Sequence, residues 1–230
     1  MFLKLPLNKR KSNNQKERTR LDIEDKQDIE NFKNNIKKEL KKIKSIPNIN
    51  LVVSSNNFPI SQKYSIYSNL PYGEIGTIKE AGCGPLALEY ALRIQNYNIE
   101  FKQIVDECTC KGYRAYIYDN DNNVIDGSGT YNNIFTDIGV KLNTIKEIFE
   151  YLKKGSPVTL LINYNDTIHK NNHFVTLIGI ENEKLIIMDG NLIEDDEKQS
   201  LIKLDFCDNI TKVKSAWGYK KEKLEMFIKK

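Results

Sequence analysis

No run of eighteen or more apolar residues occurs in the 230-residue chain, so no segment is predicted to cross a membrane as a helix. A secretory signal is also not evident. The N-terminus, MFLKLPLNKRKSNN, puts a few apolar residues before its basic cluster, the reverse of the signal order. A cytoplasmic location is therefore expected. Cysteine is sparse. Four residues, Cys83, Cys108, Cys110 and Cys207, do not make a dense disulfide framework in a chain this long, and free thiols are the default. Histidine is sparser still. His169 and His173 are the only two, which confines any imidazole chemistry to the neighbourhood of residues 169–173.

Apolar residues make up 40% of the chain and charged residues 29%, enough for one domain with a core plus an appendage. The net charge of +4 hides an asymmetry. Residues 1–46 hold fourteen Lys/Arg against seven Asp/Glu, and the rest of the chain holds twenty-one against twenty-four. A basic arm of this kind suits an acidic partner, nucleic acid or an anionic membrane surface, or is simply a solvated extension. Residues 1–50 are accordingly assigned to a basic, partly helical N-terminal extension, and residues 51–230 to the main domain.

Within the extension, Ile29, Phe32, Ile36, Leu40 and Ile43 recur at spacings of three and four, which predicts a helix over 22–44 that ends before Pro47. LVV at 51–53 reads as a short strand, and 54–82 as mostly loop. From Pro85 an apolar helix begins, followed by a second over 98–108. Residues 112–134, rich in Gly, Asn, Asp and Tyr, read as irregular. The stretch TIKEIFEYLKKG predicts a helix with Thr144 as cap, Glu147 three residues on and Gly155 at its end. After it the texture turns to β. The segments 157–164, 173–180, 184–190, 201–206 and the surroundings of Trp217 are short and rich in Val, Ile and Leu, with a turn at ENE between the second and third. Helices first and an antiparallel sheet after make an α+β layout.

Cys83 lies in AGCGPLALEYAL, at the start of the apolar helix. Unpaired N–H groups and the helix dipole favour a thiolate there. Gly82 and Gly84 let the backbone turn sharply and approach a substrate, and the Cys83 N–H can face a developing oxyanion. The competing reading of this segment is a buried structural cysteine between packing glycines. His173 opens the strand HFVTLIGI, where an imidazole can take a proton from a thiol on a facing helix. Asp189 ends the next strand, KLIIMDG, where a carboxylate can hold the imidazole by its second nitrogen. Otherwise His173 is a surface strand residue and Asp189 an ordinary Asp-Gly turn residue.

These segments in this order, GCGP opening an apolar helix, then NHFVTLIGI, then IIMDGN, resemble the cysteine peptidases of the bacteriocin-processing, double-glycine-leader type, most of all the stand-alone branch of Gram-positive bacteria. FPISQKYSIYSNLPYGEIGTIKEAGCGP is similar to the family's N-terminal stretch, and GSGTYNNIFTDIGV to its central Gly-Gly-Thr and Phe stretch. The resemblance covers roughly residues 58–219. It implies a papain-like fold, with N-terminal helices packed on an antiparallel sheet, and a peptide or protein substrate. It also implies Cys83 as nucleophile, His173 as general base and then acid, and Asp189 as the orienting acid. Papain-like enzymes usually place an oxyanion-binding Gln six residues before the Cys. Thr77 stands there, and Gln62 matches the family's earlier Gln. Leu86, Asn172 and Gly190 also depart from the usual Thr, Gly and Pro. No cofactor is implied.

Three alternatives stand beside this reading. Cys108 and Cys110 with His169 and His173 would supply two sulfurs and two imidazoles to a zinc ion. A non-catalytic peptide-binding module could use the same fold. A Cys-His-Asp set also serves acyl or amide transfer as well as hydrolysis.

Overall fold

The computed structural model describes residues 26–51, 61–63, 65–163, 172–191 and 201–228. Its frame is an antiparallel sheet built mainly from the C-terminal half of the chain. The strands are β4 (Gly139–Leu142), β5 (Val158–Ile162), β6 (His173–Glu181), β7 (Lys184–Met188), β8 (Leu201–Asp205) and β9 (Val213–Tyr219). They lie in the order β4-β9-β5-β6-β7-β8, and the short β1 (Ile49–Asn50) pairs with β6. Leu51 donates its N–H to Ile178 O, so the strand read at 51–53 begins two residues earlier; residues 52 and 53 lie outside the described residues.

Val, Ile and Leu fill both faces of β5 and β6, whose side chains are nearly all buried. Such strands suit the centre of a sheet covered on both sides. The turn between β6 and β7 places Asn182 and Glu183 at φ 49° and 61°, the left-handed pair of a tight hairpin. On one face pack α3 (Cys83–Ile94), α4 (Phe101–Cys110), α5 (Asn133–Ile138) and α8 (Lys221–Ile228), with Phe135, Phe174 and Trp217 stacked at tilted angles. On the other face lie α6 (Ile145–Lys153), α7 (Phe206–Ile210) and the helix α1, residues 26–40. Phe32 and Ile36 of α1 are each 1% exposed in this second core. Asp28 pairs with Lys141 of β4 at 2.6 Å, and Glu39 accepts from the N–H of Ile145 at the start of α6 at 2.6 Å. The helix predicted in the N-terminal extension is thus built into the sheet's second layer.

Helix α6 starts as expected: Thr144 accepts from the Glu147 N–H, and the Glu147 carboxylate returns to the N–H groups of Asn143 and Thr144. Gly155 follows with φ 78°.

The region 112–134 is not irregular. It contains a hairpin of β2 (Arg114–Tyr118) and β3 (Val124–Thr130), then α5. Its composition hides the strands, because Gly, Asn and Asp are poor strand formers. The hairpin is held by tertiary contacts, above all those of Arg114. Upstream of it, Pro71 and Thr77 form an isolated bridge that closes a turn ahead of the short helix α2 (Ile78–Ala81). Among the described residues no helix is long and apolar enough to cross a membrane.

Candidate active site

Cys83 is the first residue of α3, with Gly82 as its cap. The N–H groups of the first turn have no partner within the helix, and Pro85 in that turn gives up none that the helix needs. Gly82 must be glycine: a Cβ there would come 2.6 Å from the Ile78 carbonyl oxygen. The helix is anchored on β6 by Thr176, whose buried hydroxyl donates to Ala87 O at 3.0 Å. This fixes the start of α3 over the start of β6, where His173 sits.

His173 and Asp189 meet there. His173 Nε2 is 2.7 Å from Asp189 Oδ1, and the carboxylate is fully buried just beyond the end of β7. Asp189 Oδ1 also accepts the Asn191 N–H at 2.9 Å. Cys83 is half-buried at the other side of the imidazole, where its thiol is hydrogen-bonded to the His173 side chain and to the Phe174 backbone N–H. Three groups separated by 90 and 16 positions in the chain therefore stand in one line, thiol to imidazole to carboxylate.

The electrostatics follow from this line. Burial pushes the Cys83 thiol up, but the His173 hydrogen bond, the His173 charge and the Phe174 N–H together outweigh it, and the net shift is downward. Burial disfavours the charged imidazole, yet the Asp189 charge and hydrogen bond, with the Cys83 contacts, raise His173 to about 10. Both shifts favour a thiolate–imidazolium pair, and the two groups titrate as a pair. Such a pair carries a nucleophile and a proton donor side by side.

Gln62 is close by and 4% exposed. Its backbone N–H donates to the carbonyl of Gly190, next to Asp189, at 3.0 Å. Its side-chain Nε2 donates to Lys79 O, four residues before Cys83, at 3.2 Å, and its Oε1 is buried without a partner. Thr77 is engaged elsewhere: its N–H and hydroxyl both bond the Glu80 carboxylate at the start of α2.

Of the four residues weighed for zinc, the three described ones are not gathered. Cys108 is fully buried on one side of α4, and Cys110, two residues on, is exposed on another, as a helix requires. His173 is taken up by Asp189 and Cys83, and His169 lies outside the described residues. Among the described residues no group of three or more His, Cys, Asp or Glu could hold a metal ion.

Sequence reasoning missed two side chains at this site. Thr176, which seats α3, read only as part of an apolar strand. Thr130 packs directly on Gly84: a Cβ there would lie 2.5 Å from the Thr130 hydroxyl oxygen. The Gly-rich stretch ending at Thr130 was visible in the sequence, but its approach to Cys83 was not.

A crystal structure from Bacillus anthracis, described as a C39-like peptidase, is similar to this chain with a TM-score of 0.50 and 18% identity, covering 76% of this chain and 98% of that one. At that identity the likeness bears on the fold alone, and it is the same α+β arrangement. No curated protein matches the chain. Residues 56–223 match the model of the Peptidase_C39 like family. That span takes in α2 to β9 and every residue of the thiol–imidazole–carboxylate line, so the chain belongs to the Peptidase_C39 like family of cysteine peptidases.

Proposed function

We propose that the protein cleaves a peptide or amide bond through Cys83, His173 and Asp189. The observation that carries this reading is the hydrogen-bonded line from the Cys83 thiol through His173 to the buried Asp189. In the resting site Cys83 is the thiolate and His173 the imidazolium. The thiolate attacks the scissile carbonyl carbon, and the carbonyl electron pair moves to oxygen. The Cys83 N–H at the free start of α3 receives that oxyanion. Gln62 is the second donor: its Nε2 keeps one N–H beyond the bond to Lys79 O, and its amide lies between the Asp189 turn and the turn before Cys83. His173 then gives its proton to the leaving amine, the C–N bond breaks, and a thioester remains on Cys83. Water, deprotonated by His173, attacks the thioester and releases the acid. Asp189 keeps the imidazole oriented throughout.

The likeness of the motifs to double-glycine-leader peptidases supports a leader peptide as the substrate.

Alkylation by iodoacetamide tests the reading. Cys83 should react ahead of Cys108, Cys110 and Cys207 at neutral pH, and His173→Ala should slow it strongly. Equal labelling of the exposed thiols and Cys83 would sink it. Incubation with peptides bearing a double-glycine junction, followed by mass analysis, tests the substrate. A product joined to added amine rather than water would make the activity a transfer.

A further inference from the structure

One side chain organises the segments that pack on the first turn of α3. Arg114, in β2, is 2% exposed. Its guanidinium donates to three backbone carbonyls: Tyr72 at 3.1 Å, Ile75 at 3.1 Å and Gly129 at 2.8 Å. It also lies over the rings of Tyr72 and Tyr116, 5.0 and 5.7 Å from their centroids. Three glycines close around it. A Cβ at Gly73 would come 2.7 Å from Arg114 Cγ, one at Gly76 would come 2.9 Å from Nη2, and one at Gly127 would run into the guanidinium. The Pro-Tyr-Gly turn and the Gly-Ser-Gly-Thr strand, distant in sequence, are thus two halves of one socket.

The socket ends on the nucleophile's helix. Tyr72, held by Arg114, shares a 3.0 Å hydrogen bond with the Thr130 hydroxyl. Thr130, directly after the Gly129 carbonyl that Arg114 grips, sits on Gly84 in the first turn of α3. The geometry points to Arg114 as a positioning residue that, through Tyr72 and Thr130, fixes the first-turn N–H groups of α3 on the oxyanion side of Cys83. This inference rests on the peptidase reading above. It concerns the oxyanion donors alone, because the thiolate is set by the contacts of His173 and Phe174.

Lysine keeps the charge of Arg114 but loses the planar fork that reaches three carbonyls. Tyr72→Phe removes only the hydroxyl that meets Thr130. Two reactions of the full chain separate the effects. Alkylation of Cys83 by iodoacetamide needs the thiolate but forms no oxyanion. Acylation by p-nitrophenyl acetate, read as the burst of p-nitrophenolate, passes through one. Arg114→Lys and Tyr72→Phe should leave the alkylation rate and its pH profile within about twofold of wild type, while acylation falls about tenfold or more, as expected for a misplaced donor. The inference is overturned if acylation stays within about twofold of wild type in the variants. A parallel fall of both rates also overturns it, since that is the mark of a merely structural residue. If Arg114→Lys fails to fold, Tyr72→Phe decides by the same two rates. If wild-type Cys83 is not alkylated ahead of the other cysteines, the peptidase reading itself falls, and the role of Arg114 with it.

Discussion

His173 is gripped through Nε2 by Asp189 Oδ1 at 2.7 Å, so the other ring nitrogen is left to face the Cys83 thiol. The carboxylate is fully buried and receives a second N–H from Asn191, which fixes its own direction. An imidazole held this way has one tautomer and one orientation, and its charged form is favoured against burial.

The pH dependence follows from the two shifts. Alkylation of Cys83 should rise with pH through a midpoint below the ordinary thiol range and then stay level, because it needs only the thiolate. Peptide cleavage should rise over the same limb but fall again as the pH passes about 10, where His173 loses the proton it must donate. Stability carries the same signs. His173 has a folded pKa above its ordinary value of about 6.5, so its protonation stabilises the fold fully below that pH and ceases to do so as the pH rises through about 10. Cys83 acts in the opposite sense: its contribution is present above the ordinary thiol range and is lost as the pH falls through its lowered value. Rate–pH profiles for the two reactions, measured on one preparation, check the pair.

Asp189→Asn keeps the shape of the side chain and removes its charge. Burial then acts on His173 without its strongest raising influence, and the imidazolium is disfavoured. Cleavage should drop by about a hundred- to ten-thousand-fold, by analogy with the orienting acid of other triads. The midpoint for Cys83 alkylation should move upward. An unchanged midpoint would show that Asp189 does not set the charge of His173.

Thr176→Val replaces a buried hydroxyl that donates to Ala87 O by a methyl of similar size. The loss of that bond should lower stability by about 1 kcal/mol. Urea unfolding measures it. Because the bond seats α3 on β6, the variant should also show slower Cys83 alkylation at neutral pH.

Phe32→Ala tests whether α1 belongs to the folded body. The ring is buried with Ile36 against the sheet, so its removal should cost about 3–5 kcal/mol. Deleting residues 1–46 removes both side chains and the Glu39 contact to α6, and should leave the remaining chain poorly soluble. Equal melting temperatures for wild type and Phe32→Ala would place α1 outside the cooperative unit.

Much of this protein is legible along the chain because its signals are local. The short runs rich in Val, Ile and Leu at 157–164, 173–180 and 184–190 specify strands, the ENE turn specifies the pairing of the last two, and Thr144 with Glu147 specifies where α6 starts. Cys83, His173 and Asp189 could be singled out from the same kind of signal: each sits at the end of a helix or strand whose limits the sequence shows. What the tertiary structure alone decided is how distant segments meet. The hairpin of β2 and β3 has weak local preference and exists because Arg114 binds carbonyls 42, 39 and 15 positions away. The helix of the basic N-terminal segment looked like an appendage because its apolar stripe has no partner nearby in sequence. Its partner is the far face of a sheet formed more than a hundred residues later. Periodicity and capping depend on neighbours a few positions apart. A buried cation satisfied by carbonyls, or a helix face covered by a sheet, depends on the closed chain, and there the linear pattern carries no signal.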